Sequence, residues 1–141
     1  MMFKGTFTAL FTVAVLVVNV GAQGLDIGCI DTGVSGNCVD FVDTCCDSAG
    51  LMMVRPLDNV SRCFNLNSTV KCDFTAWFNL VGNDPNSARP SAEHCKKILR
   101  TVSASCPLGG YGHITGERGF QFLVDPNLGP CGSNEANGNP S

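Results

Sequence analysis

Lys71-Cys72-Asp73-Phe74-Thr75-Ala76-Trp77-Phe78-Asn79 is the stretch on which the fold turns. Cys72, Phe74, Ala76 and Phe78 recur at every second position, with Asp73, Thr75, Trp77 and Asn79 between them. A two-residue repeat places alternate side chains on opposite faces, so this run predicts a strand with one apolar and one polar side. Two shorter runs of strand character precede it. Residues 51–55 end at Pro56, and residues 62–66 follow a turn around Leu57-Asp58-Asn59. A second turn at Asn67-Ser68 leads into the long run.

Helical spacing brackets these strands. Over residues 35–48, Cys38, Phe41, Val42 and Cys45 form an apolar stripe, Ser35 is a candidate cap and Gly50 a stop. Residues 82–90 are a polar loop dense in Asn, Asp, Ser and Pro. Ser91 then opens a helix to about residue 105, in which Cys95, Ile98, Leu99, Val102 and Cys106 share a face while Lys96, Lys97 and Arg100 point away. Beyond Pro107 and Gly109-Gly110, residues 111–115 and 119–125 predict a hairpin around Gly116-Glu117-Arg118. The order is helix, three strands, helix, two strands. Segregated elements with short connections predict an α+β fold: one domain, a five-stranded antiparallel sheet flanked by two main helices.

Nine cysteines place that domain in an oxidising compartment. All follow an N-terminal segment with Lys4 at its start, an apolar stretch over residues 7–20 and the small pair Gly21-Ala22. Residues 1–22 therefore predict a secretory signal peptide, with the mature chain starting at Gln23. Residues 23–131 form the expected domain, and residues 132–141, rich in Gly, Asn, Ser and Pro, a disordered tail without the apolar run of a glycolipid anchor. The formal charge of −3 becomes one unit more negative when Lys4 leaves with the signal. A mildly acidic chain without a Lys/Arg cluster is a poor partner for nucleic acid or an anionic membrane, so neither binding nor membrane insertion is expected. Disulfides staple a core too small to give much stability alone. The odd cysteine is left for burial, reactivity or an intermolecular bond, and the pair Cys45-Cys46 is where to look for it.

Few motifs point to chemistry. Asp31-Thr32-Gly33 has the form of an aspartic-protease tripeptide, but that mechanism needs two aspartates sharing a proton and only one copy exists. His94 lies beside Cys95 and His113 on a predicted strand, yet a cysteine among eight others in an exported chain is better read as structural than as a nucleophile. No serine sits in a glycine elbow, and no histidine–carboxylate spacing suits a metal. Neither enzyme activity nor a cofactor or metal is expected. Asn59-Val60-Ser61 and Asn67-Ser68-Thr69 are acceptors for N-linked sugar at the two predicted turns. Trp77 shares a strand face with Asp73, Thr75 and Asn79, and Tyr111 shares one with His113 and Thr115. An aromatic ring beside amide and carboxylate groups can take the C–H face of a pyranose and fix its hydroxyls. The plainer reading packs Trp77 under the first helix, because an aromatic in a strand is usually core.

Several segments together resemble the small secreted fungal lectins of the Y-three-like glycan-binding family. They include Ser35-Gly36-Asn37-Cys38 with Phe41, Val60-Ser61-Arg62-Cys63-Phe64-Asn65, and Lys71-Cys72-Asp73-Phe74-Thr75-Ala76. Further on come Pro90-Ser91 with Cys95, then Cys106-Pro107 with Gly109-Gly110-Tyr111-Gly112. Phe120 through Val124-Asp125-Pro126-Asn127, closing on Gly129 and Cys131, completes a match over nearly the whole mature chain. The resemblance implies a non-enzymatic, glycan-binding fold of five antiparallel strands with helices packed on it. It also implies sheets paired edge to edge in a homodimer, a preference for N-acetylgalactosamine and N-acetylglucosamine glycans, and secretion. Cys45 stands where the family pattern has an apolar residue, which marks it as the unpaired thiol. Cys29, Cys38, Cys46, Cys63, Cys72, Cys95, Cys106 and Cys131 are then the disulfide candidates. No ligand residue carries over by motif, so Trp77, Asn79, Tyr111 and His113 are the sugar-contact candidates from residue chemistry alone. A secreted cysteine-rich effector or killer-toxin-like protein acting on a host or competitor protein is the competing reading.

Overall fold

The computed structural model describes residues 24–79, 86–116 and 119–132. The signal segment, most of the tail, residues 80–85 at the start of the polar loop and just before it, and Glu117-Arg118 at the hairpin turn lie outside the described residues. Five strands make one antiparallel sheet: β1 Leu25–Cys29, β2 Asn59–Asn65, β3 Val70–Phe78, β4 Gly110–Ile114 and β5 Phe120–Leu128. They lie in the order β1-β4-β5-β3-β2, which puts β1 and β2 at the edges. Two α-helices, α1 Val42–Ala49 and α2 Ala92–Ser105, complete the α+β domain.

Strand β3 alternates as its sequence predicts: Cys72, Phe74, Ala76 and Phe78 are buried while Trp77 is exposed. The buried face joins Phe122 and Val124 of β5 to Val42 of α1 and Ile98, Leu99 and Val102 of α2 in one core. Helix α2 crosses β4, β5 and β1, and α1 packs on α2 and reaches β2. Close approach of α2 depends on Gly112, where a Cβ would fall 2.9 Å from Ile98 Cγ2. Ser91 caps α2 as expected, its side chain accepting from the His94 amide.

Three local expectations are corrected. Residues 51–55 form no strand; Val54 makes only an isolated bridge to Ala88, its N–H 2.8 Å from the Ala88 carbonyl. The run is consumed in turning the chain out of α1, and Leu51 and Met53 stay exposed. The fifth strand is instead Leu25–Cys29, whose Gly28 and short length hide its strand character. Five was thus the right number with one wrong member. The first helix begins later than residue 35. A 3-10 turn at Val39–Phe41 precedes α1, and the α1 N-cap position is Phe41, without a side-chain cap. Strand β5 also continues through Pro126 to Leu128, beyond the expected end at residue 125. Pairing with β4 ends at Val124, so the missing Pro126 N–H interrupts no β4 ladder.

Four disulfides staple these layers: Cys29–Cys106, Cys38–Cys72, Cys46–Cys95 and Cys63–Cys131. All eight candidate cysteines are used. The bonds join β1 to the end of α2, the 3-10 turn to β3, α1 to α2, and β2 to the C-terminal segment.

Candidate functional site

The helices cover one face of the sheet. On the other face the strand register sets out a row of polar and aromatic residues in two paired parts, one across β2, β3 and β5 and one across β4 and β1. Asn59 of β2 pairs with Trp77 of β3, and Trp77 with Gln121 of β5. The β4–β5 pairing ends at Gly112↔Phe122; His113, two residues beyond Tyr111 on the same face of β4, pairs with Asp26 of β1. Tyr111, Leu123, Thr75 and Ser61 form the next row on one side. Asn79 follows Trp77 at the end of β3 on the other side.

The structure therefore brings Trp77, Asn79, Tyr111 and His113 to one face, although they come from two separated strands. Trp77 is 45% exposed and Tyr111 42% exposed, so the reading that buries Trp77 beneath the first helix does not hold. With strands about 4.8 Å apart and about 3.4 Å per residue, the two aromatics stand roughly 12 Å from each other across β5. Tyr111 is seated by Gly28, its cross-strand partner: a Cβ on Gly28 would fall 2.5 Å from Tyr111 Cζ. The ring thus lies over the glycine and covers the β1 backbone. His113 Nε2 is 3.9 Å from Asp26 Oδ2, both side chains being substantially exposed. Ser61 Oγ links Asn59 Oδ1 and Thr75 Oγ1, each at 3.1 Å. Further along the face, Asp73 Oδ2 receives Lys71 Nζ at 3.1 Å and Asn127 Nδ2 at 3.0 Å, and Asp125 stands opposite Asp73.

Two members of the row, Gln121 and Asp26, escape sequence reasoning. The alternation of Phe120, Phe122 and Val124 puts Gln121 on the open side, but only the strand order reveals that it separates Trp77 from His113. Asp26 is missed because β1 is missed. Asp31-Thr32-Gly33 sits on an exposed loop after β1, without the enclosure aspartic-protease chemistry requires. Both sequon asparagines are exposed. Asn59 begins the edge strand β2. Asn67 lies at the hairpin turn beyond it, where its Oδ1 accepts from Thr69 N, Thr69 Oγ1 and Val70 N at 2.8–2.9 Å.

Cys45 is the free cysteine, buried on the inner face of α1. Burial pushes its thiol pKa up to about 12, against a smaller opposing pull from the buried Arg62 guanidinium. A thiol so protonated and enclosed is neither a nucleophile nor an intermolecular partner. Arg62 is held by the Ser61 carbonyl at 2.8 Å and by Ser48 Oγ at 3.2 Å. Among the described residues, no group of three His, Cys, Asp or Glu side chains is placed to hold a metal ion. No helix among them is long and apolar enough to cross a membrane.

Concave surface is found away from the two rings and at the β2 edge of this face. A groove of about 350 Å³ runs between Ser35–Asn37, Val39 and the Arg100–Ala104 end of α2. A smaller cleft of about 240 Å³ is lined by Met52, Met53, Asp58, Asn59 and Ser61. The groove has no aromatic lining, whereas the flat face carries two open rings.

A family model described as glycan binding domain Y3 matches residues 37–131. The antiviral protein CAP of Coprinus comatus is 42% identical over 97 residues, which cover 69% of this chain and 93% of that protein. The matched segment holds three of the four disulfides complete, together with Trp77, Tyr111 and Gln121. With two thirds of its length under the family model and a relative of that identity, the chain belongs to the glycan binding domain Y3 family.

Proposed function

We propose that this protein is a secreted, non-enzymatic lectin that binds N-acetylhexosamine glycans on the open face of its sheet. Family membership supports carbohydrate binding as the general function. The observation that carries the finer reading is the exposure of Trp77 and Tyr111 on a face that no helix covers, among Asn, Gln, His and Asp side chains. An indole or phenol ring takes the apolar face of a pyranose, while amide and carboxylate groups discriminate its hydroxyls and acetamido group. Trp77, Asn79, Tyr111 and His113 are the proposed contacts, with Gln121 between them. Recognition of this kind needs no proton transfer and no cofactor. Four disulfides suit an oxidising compartment, and the segment over residues 1–22 supplies the route there.

The resemblance also implies a homodimer with edge-paired sheets. Two edges are open to such pairing. The sequons at Asn59 and Asn67 flank β2, so β1 is the edge that glycans leave clear. Two sites on one dimer would raise avidity on a glycan-dense surface without any new contact. The relative's designation as an antiviral protein makes glycosylated viral surfaces a sensible class of target to include.

Trp77 is the only tryptophan, so its emission reports this face alone. Titration of chain made without N-glycosylation with N-acetylglucosamine and N-acetylgalactosamine oligosaccharides should shift and enhance that emission saturably. Binding followed calorimetrically should weaken at least about tenfold in Trp77→Ala, equivalent to about 1.4 kcal/mol. An emission indifferent to every N-acetylhexosamine at millimolar concentration would remove the proposal.

A further inference from the structure

The pairing of Asn59 with Trp77 joins two features that the sequence presents as unrelated. One is an acceptor for N-linked sugar; the other is the largest open aromatic on the sheet. Directly paired residues of antiparallel strands have Cβ atoms about 4.5–5.5 Å apart. A sugar on the Asn59 amide therefore begins within reach of the Trp77 indole.

We infer that Asn59 carries an N-linked glycan whose first N-acetylglucosamine packs on Trp77, capping part of the sugar-binding face with the chain's own carbohydrate. The inference rests on the export proposed above, since the modification belongs to the secretory route. Three observations carry it. First, Asn59 and Trp77 are both exposed and share the face that no helix covers. Second, β2 is an edge strand, so a glycan leaving Asn59 meets no neighbouring strand on its outer side. Third, Ser61 Oγ holds Asn59 Oδ1 at 3.1 Å and is itself 3.1 Å from Thr75 Oγ1, which tethers the carboxamide along the face. Attachment through Nδ2 leaves Oδ1 and this tether intact.

Asn67 provides the contrast within the same chain. It lies beyond Asn65, the far end of β2, and since Asn65 is already six residues, or roughly 20 Å, along the strand from Asn59, it is farther still from the Trp77 row. Its turn is closed by its own hydrogen bonds to Thr69 and Val70. A glycan there stands clear of Trp77. The two sequons thus have different consequences: Asn67 decorates the molecule, whereas Asn59 modifies its recognition face.

An aromatic ring covered by a covalently attached sugar has less surface for a diffusing one, and the attached sugar sits at very high local concentration. The protein with Asn59 occupied should then bind external glycan through the Tyr111–His113 side of the row more than through Trp77. Chain made without N-glycosylation should expose the full row.

The test uses the full-length chain exported from a yeast host. Glycopeptide mass spectrometry locates the sugars at Asn59 and Asn67, and acrylamide quenching of the single tryptophan measures Trp77 access. Amidase release on the folded protein and the Ser61→Ala variant provide two independent ways of removing the Asn59 glycan. Occupancy at Asn59 is expected, with the quenching constant rising about twofold or more after release and in Ser61→Ala. An exported chain with Asn67 occupied and Asn59 bare overturns the inference while leaving export standing. Full occupancy at Asn59 with unchanged quenching also overturns it, because the sugar would then lie elsewhere, such as along the cleft beside Met52 and Met53. A chain retained inside the cell without any glycan overturns the inference and the export reading together.

Discussion

Beneath α1, Cys45 keeps a thiol while eight other cysteines are bonded, because burial offers it no partner and disfavours its anion. Its pKa is raised from an ordinary value near 9 to about 12. The folded state then holds a proton that the unfolded state releases across that interval. Stability from this group is complete below about pH 9 and falls as the pH rises toward 12, by about 1.4 kcal/mol per pH unit. Urea midpoints between pH 8 and 11 should therefore fall more steeply in the parent chain than in Cys45→Ala. Parallel curves would show that the thiol is not held neutral. Trp77 gives the opposite lesson. Its strand is readable from alternation, yet whether its open side meets a helix or solvent depends on where α1 packs, which no local pattern encodes.

Pairs of elements set the finer geometry. β1 and β4 fit because glycine stands where Tyr111 must lie: the Gly28 position has no room for a Cβ beneath the ring. Gly28→Ala should cost about 1–3 kcal/mol by overpacking. In a Tyr111→Ala background the same change should cost much less, and a double-mutant cycle from denaturant unfolding measures the coupling. Additive effects would mean that the ring does not rest on Gly28. This strand also shows why part of the fold was hidden from sequence reading. Leu25–Cys29 has two glycine-adjacent apolar positions and no long alternation, so its pairing with β4 decides its conformation. The run at residues 51–55 has the better strand composition but follows a helix that must turn back, and it ends with a single bridge. By contrast α2, with its Ser91 cap and unbroken apolar stripe, was fully legible.

Across the whole molecule, four disulfides cross-link chain positions 34 to 77 residues apart. Closing loops of that size in the unfolded chain contributes about 4 kcal/mol per bond on a chain-entropy model, though the contributions do not simply add. With the helices, the core and three of the four disulfides on one side, and Cys63–Cys131 pinning edge strand β2 from the other, the sheet can leave most of that other side open to solvent and still hold its shape. The candidate site is a product of that asymmetry. Its aromatic members were named from local chemistry, since Trp77 and Tyr111 each carry polar neighbours two residues away. Gln121 and Asp26 join them only through the strand order β1-β4-β5-β3-β2, a long-range property of the assembled sheet.

The proposed function assigns recognition to this flat surface rather than to the groove beside Arg100 and Ser103. Amide chemical-shift mapping of the isotope-labelled mature protein made without N-glycosylation, titrated with an N-acetylhexosamine disaccharide, separates the two directly. Saturable shifts are expected at Trp77, Asn79, Tyr111, His113 and Gln121, with the indole N–H of Trp77 among the largest. Shifts gathered around residues 35–39 and 100–104, with the sheet face silent, would contradict the account.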